Sequence, residues 1–438
     1  MILLAFAMVF SMAGMVSAED TASTETSGSN LDKQDIDVTI LLDTSYVVHI
    51  LADVGFSADT LTTTQTLTVS DVHLTDYEIL RVTIDSTNDF SLNYGSGRVS
   101  KIPYTVTKTA TNGGSDVILS SGNNIVMEVE PGNLAGSQEL VFATTQDAID
   151  GATKAGEHKD LLTFNFDVIP SVSVSDKEGL IAFAAIQNDA PNAEVVVQLT
   201  GDIDLTGETW TPLTIDGYHG AKVLTINGNG HKITGLTAPL FDGGFAGKGG
   251  IVIKDLTIAN SQIQGSVDKS TTGSGAFVEY VDSMPTLTLI NCHLTNSQVT
   301  GSGDARVGGL IGYTTGYNNQ NDGPVDTYVT VTGCSVTGCT ITGTAVGGII
   351  GHAGANPATY TTIKDCTVTN NELISIDDGG WRVGVVVGTA NVGEVTISGI
   401  TESGNKLTQN EGVVTKPDEQ SNLYGRFVPG DTGKLTIE

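Results

Sequence analysis

Eight side chains in the second half of the chain, Asp304, Arg306, Tyr313, Tyr317, His352, Asp378, Trp381 and Arg382, combine charge, aromatic faces and hydrogen-bonding groups. Such a set suits a sugar, because rings offer apolar faces for stacking while guanidinium and carboxylate groups bond hydroxyls. Arg306 and Arg382 each stand immediately before a glycine-rich segment, Val307-Gly308-Gly309-Leu310-Ile311-Gly312 and Val383-Gly384-Val385-Val386-Val387-Gly388. A third copy, Val346-Gly347-Gly348-Ile349-Ile350-Gly351, lies between them. If every copy is one coil of a stack, the two arginines sit two strand spacings apart, roughly 10 Å. The competing reading, unrelated loop residues on a solvated face, stays open at this level.

Catalysis demands more. Glycoside hydrolysis needs two carboxylates held at a controlled separation beside a sugar cleft. The adjacent acidic pairs of residues 171–438 are Asp377-Asp378, in a glycine-rich loop before Trp381, and Asp418-Glu419, which reads as a solvated loop. No catalytic set is expected from them. No cofactor or metal site is expected either, since no loop carries a recognisable calcium-ligand set and the histidines are dispersed. His231 follows Asn227-Gly228-Asn229-Gly230 without the Lys-Ser/Thr ending or dinucleotide spacing of a phosphate cradle, so it reads as a turn residue.

The elements that would position these groups are repeats. One segment recurs as Ile253-Lys254-Asp255-Leu256-Thr257-Ile258, Leu289-Ile290-Asn291-Cys292-His293-Leu294, Val331-Thr332-Gly333-Cys334-Ser335-Val336, Ile363-Lys364-Asp365-Cys366-Thr367-Val368 and Ile397-Ser398-Gly399-Ile400-Thr401-Glu402. Successive copies are offset by 36, 42, 32 and 34 residues. A drifting period with a constant motif is the signature of solenoid coils with variable loops. In this register Leu256, Cys292, Cys334, Cys366 and Ile400 stack as one inward column. Asn260, Asn296, Gly338, Asn370 and Gly404 form a second, at turns that need left-handed backbone angles or amide stacking. Three of the four cysteines therefore read as core filler rather than a zinc site. Neighbouring thiols in the column are near enough for a disulfide, and the pairing stays open.

The glycine-rich segments resemble the GLUG-type repeat of bacterial adhesin-like and surface β-helix proteins. The run Asp202-Ile203-Asp204-Leu205, Trp210-Thr211-Pro212-Leu213 and Asn227 to Ile233 resembles the entry coils of that group, so the likeness covers about 175–410. It implies a pectin-lyase-like, right-handed parallel β-helix. Polysaccharide lyases and pectin-type hydrolases share that architecture, and the lyases generally join a calcium-binding carboxylate cluster to a basic residue. The arginines available here are Arg306, Arg382 and Arg426. Three functions are carried forward: an adhesin-like surface for glycan or protein, a carbohydrate-active enzyme, and a non-binding spacer of the cell envelope. The first is the leading expectation, and it is not enzymatic.

Residues 1–18, an apolar run ending in Val16-Ser17-Ala18, read as a secretory signal, which places the mature chain outside the cell or on its surface. Residues 19–34 are Ser/Thr-rich and read as a disordered linker. Over 35–170 apolar and polar residues alternate, as in Leu80, Val82, Ile84 and in Leu162, Phe164, Phe166, Val168, and turns such as Asn112-Gly113-Gly114 break the later strands. This predicts a β-sandwich, and the stretch from Phe90 to Val168 loosely resembles small sandwich modules of bacterial surface proteins. Ile169-Pro170 is expected to end regular pairing and begin the β-helix domain, 171–438. Ser175-Asp176-Lys177-Glu178 has capping-box form, predicting a short helix over 176–188 that covers the first coil. The chain is thus all-β with one capping helix. Its 50 acidic and 20 basic residues, net −30, exclude an electrostatic nucleic-acid binder, and no stretch of the mature chain reads as a membrane span.

Overall fold

The computed structural model describes residues 9–10, 44–49, 51–95, 100–110, 116–120, 124–189, 195–214, 223–245, 249–265, 273–282, 284–301, 303–319, 323–356, 359–376, 382–409, 412–413, 422–428 and 433–438. Apart from Val9–Phe10, the signal and linker segments lie outside the described residues, and so does Asp418-Glu419. Contacts divide the chain into two units, Met1–Leu119 with Ile125–Val168, and Ser120–Asn124 with Ile169–Glu438.

The first unit is antiparallel. Thr62–His73 pairs with Ser45–His49 on one side and Gly136–Ala143 on the other, and Thr105–Lys108 extends that sheet. Glu78–Ser86 pairs with Ile125–Val129 in another sheet. Period-two alternation turns Leu67, Val69, Leu140 and Phe142 from the first sheet onto Leu80, Val82, Ile84 and Val126 from the second, making one buried sandwich core.

In the second unit every coil contributes short strands that pair in parallel with the coils before and after, which is a parallel β-helix. The longest face stacks Val195–Leu199, Val223–Asn227, Gly250–Lys254, Thr286–Ile290, Thr327–Thr332, Thr359–Lys364, Glu394–Ser398 and Lys434–Ile437. Ile226, Ile253, Leu289, Val331, Ile363 and Ile397 fall in one register on it and are fully buried. A single coil leaves this aliphatic row half uncovered; stacking closes it and pairs the backbone at once.

Leu256, Cys292, Cys334 and Cys366 form the expected inward column, joined by bonds such as His293 N–H to the Leu256 carbonyl and Ser335 N–H to that of Cys292. Asn260, Asn296, Gly338, Asn370 and Gly404 take positive φ as expected. So does a second turn set, Asp255, Asn291, Gly333, Asp365 and Gly399, which the repeat alignment contains but whose role it does not announce. All ten φ values lie between 47° and 67°, where Asn, Asp and Gly cost least. The fourth cysteine, Cys339, occupies a different, polar column: the Ser261 N–H donates to the Ser297 hydroxyl, Cys339 N–H to the Asn371 amide oxygen, and Asn371 N–H to that of Asn405. All four thiols are free and buried.

Two local expectations are corrected. Leu162–Val174 is one strand that runs through Pro170, and Ser171–Val174 pairs with Val196–Leu199. Proline is accommodated because only its own donor is lost from the ladder. The helix Lys177–Asp189 forms, but its cap is Asp176, whose carboxylate accepts from Gly179 N–H at 2.8 Å, while the Ser175 hydroxyl turns to Asp176. No Ser175–Glu178 capping box is made. Leu180, Phe183 and Ala184 cover the first coil with Val195, Leu199, Trp210 and Leu213, whereas Ile181 and Ile186 face outward.

Candidate functional site

The glycine-rich segments build a crease. In each, a strand (Arg306–Gly308, Ala345–Gly347, Val383–Gly384) turns at once into a second (Ile311–Thr315, Ile350–Ala353, Val387–Ala390), and the two stack separately from coil to coil. Their backbones lie so close that a Cβ on Gly347 would collide with the Ile350 carbonyl oxygen. Gly348 would likewise strike the Val385 carbonyl and the Val368 side chain. The third segment has Val385 at the corresponding place, where the coil beyond differs: the strand partner of Val368 there is the exposed Glu402, and Val385 N–H donates to the Asn422 carbonyl.

Two columns of side chains line this crease. On the first, Arg306 pairs with Ala345, and Arg382, immediately before Val383, follows one coil later with its carbonyl accepting from Val346 N–H. On the second run Tyr280, Tyr313, His352, Thr389 and Arg426. Between them lies a groove of about 600 Å³ lined by Asp304, Arg306, Ala345, His352, Arg382, Thr389, Asn391 and Arg426. Ala345 makes its floor low at the coil between the first two arginines.

Of the sequence-predicted residues, the fold brings Asp304, Arg306, His352 and Arg382 to the groove, and Tyr313 supports them from behind. The Arg306 guanidinium lies 5.3 Å from the Tyr313 ring centre, a cation–π placement, and the Tyr313 and His352 rings are 5.1 Å apart. Asp378 and Trp381 lie outside the described residues, with Asp377; the Tyr317 backbone pairs with Val325 in a small antiparallel hairpin, and its side chain lies outside them too.

Sequence reasoning missed Arg426, Thr389 and Asn391. A signal existed: Tyr424-Gly425-Arg426-Phe427 aligns with Ile350-Gly351-His352-Ala353 and Val387-Gly388-Thr389-Ala390, which continues the repeat past 410. All three arginines of residues 171–438, out of five in the chain, thus converge on one groove. Among the described residues neither Arg306 nor Arg426 is paired with a carboxylate.

His352 is 6% exposed, and burial, reinforced by Arg306 and Arg382, holds its pKa down at about 3. The ring is therefore neutral at ordinary pH and offers a hydrogen bond rather than a charge. Its Nε2, the Thr389 hydroxyl and the Asn391 amide oxygen are buried without a hydrogen-bond partner among the described residues. Three such atoms on residues that line one groove, beside the guanidiniums of Arg306 and Arg426, form a set suited to a polar ligand.

Residues 342–372 match the family of the GLUG motif. That GLUG segment carries Ala345 and His352, and its equivalents on either side carry Arg306 and Arg382. Among curated proteins none matches the chain. Among solved structures, one described as a "putative immunoglobulin A1 protease" from Bacteroides ovatus is similar, with 16% identity over 61% of this chain and 84% of that chain and a TM-score of 0.35. A likeness at that level carries no inference about chemistry.

Proposed function

We propose that this is an exported, adhesin-like protein whose β-helix binds a glycan along the groove between the two columns. The observation that carries the reading is the convergence of Arg306, Arg382 and Arg426 with the unpartnered His352, Thr389 and Asn391 atoms on one open groove. A sugar presents many hydroxyls in a small volume, and such convergent polar atoms, with half-buried Tyr313 behind them, match it better than a protein side-chain patch. The chain's own charge, net −30, makes a nucleic acid an unsuitable partner.

The enzymatic alternative rests on carboxylates. Asp304 lines the groove, and hydrolysis requires a second carboxylate opposite it. The deciding experiment is a glycan array run beside a polysaccharide digestion with residues 19–438, with and without calcium. Binding without product release supports the adhesin reading. Turnover that disappears on replacing Asp304 overturns it in favour of an enzyme, and silence in both assays leaves the spacer role. Export is tested by sequencing the amino terminus of the secreted protein, which should begin near Glu19.

A further inference from the structure

Resting on that reading, we propose that the groove selects an acidic glycan of low charge density. It seats one carboxylate or sulfate group over Ala345, between Arg306 and Arg382, with neutral sugar on either side.

The geometry points to an anion at that spot. Arg306 and Arg382 flank the Ala345 coil from one coil below and one above, each about 5 Å away along the axis. Alanine leaves the space between them open, where any longer side chain would fill it. His352 faces the same coil from the second column and presents its unpartnered Nε2. Stacking on Tyr313 fixes the Arg306 guanidinium without consuming its donors, so its planar fork remains available to an oxyanion. Arg426 stands one coil beyond Thr389, within reach of a neighbouring group on the same ligand.

Charge sets the second half of the proposal. Arg306 and Arg426, neither paired with a carboxylate among the described residues, can compensate one or two negative charges, but the surrounding chain, net −30, repels a polymer charged at every residue. Exposed Asp304 at the rim adds to that repulsion and is itself suited to accepting bonds from neutral sugar hydroxyls. The preferred ligand therefore carries an isolated acid group within a neutral glycan.

Two measurements on the full mature chain test this. The first compares, on one array, glycans bearing a single uronate, sialate or sulfate with their methyl-esterified, reduced or desulfated counterparts. Removing the charge should weaken binding about tenfold or more, the value of a charge-assisted bond. Arg306→Gln and Arg382→Gln should each do the same, with Arg306→Lys recovering part of the loss. The second follows the urea midpoint with sodium glucuronate against glucose plus sodium chloride at equal ionic strength. Glucuronate should raise it saturably in the wild type and not in Arg306→Gln, whose folding is checked by circular dichroism; should that variant unfold, the esterified ligand serves as the control. Neutral glycans bound as tightly as acidic ones, with no glucuronate effect, would sink the acid-group proposal and leave the glycan reading intact. A glucuronate effect without any glycan bound would keep the anion site and remove the glycan reading. Silence in both removes both.

Discussion

Protonating His352 should cost the β-helix stability, and the cost can be worked out. Unfolded, the imidazole titrates near 6.5; folded, burial and the Arg306 and Arg382 charges hold it near 3. Between those values the unfolded chain binds the proton and the folded chain does not, so stability is full above about pH 6.5 and falls as pH drops toward 3. Integrating from about pH 7 to about pH 4 gives roughly 3 kcal/mol from this one residue. The groups acting on the ring are Arg306, Arg382 and Tyr313, with Asp304 and Arg426 lining the same groove, and among the described residues no carboxylate is bonded to it. The perturbation is His352→Gln, which cannot take the proton. Urea unfolding of wild type and variant at the two pH values, at constant ionic strength, cancels the carboxylates that both share. The wild type should lose about 3 kcal/mol more on acidification than the variant. Parallel pH profiles, or a wild type that holds up better in acid, would refute the assignment of a buried, neutral ring.

Three further outcomes are expected. Gly348→Val should abolish folding of the β-helix, because its side chain meets the Val385 carbonyl and Val368, whereas Val385→Gly should cost only about 1–3 kcal/mol of buried side chain; thermal melts of both variants decide this. Leu289→Ala, in the fully buried row with Ile253 and Val331, should lower unfolding free energy by about 2–5 kcal/mol, read from urea titration, and a loss below about 1 kcal/mol would contradict a closed core. Burial pushes the Cys334 and Cys339 thiols up, and hydrogen bonding with Cys334 followed by burial does so for Cys366. A maleimide should accordingly leave the native protein unlabelled and react with four thiols in denaturant, and rapid native labelling would contradict the inward columns.

Much was legible in the residues alone, for a physical reason: a solenoid repeats its environment, so its sequence repeats its constraints. The aliphatic row around Ile253 and Leu289, the Cys292–Cys334–Cys366 column and the left-handed turn set at Asn260 and its equivalents each recur at one register, and stacking aligned them as the spacing implied. The placing of Arg306 and Arg382 two coils apart in one column followed from the same register. Local chain signals served less well. Pro170 lies inside a strand because its neighbours' pairing outweighs one missing donor, and the helix is capped at Asp176, whose carboxylate takes Gly179 N–H while the Ser175 hydroxyl donates to that same carboxylate.

What the sequence by itself determined, then, is which residues share a column, since register along a coil is set by period and turn chemistry. Which columns face each other is a different matter. Arg306 meets Tyr313 and His352, and Arg426 joins them, because the chain doubles back within one coil where glycine lets two backbones touch. That crease depends on the absence of side chains and on carbonyls from the coil above, quantities that no single stretch of sequence contains. The tertiary structure alone decided that the three arginines of an acidic domain share one groove.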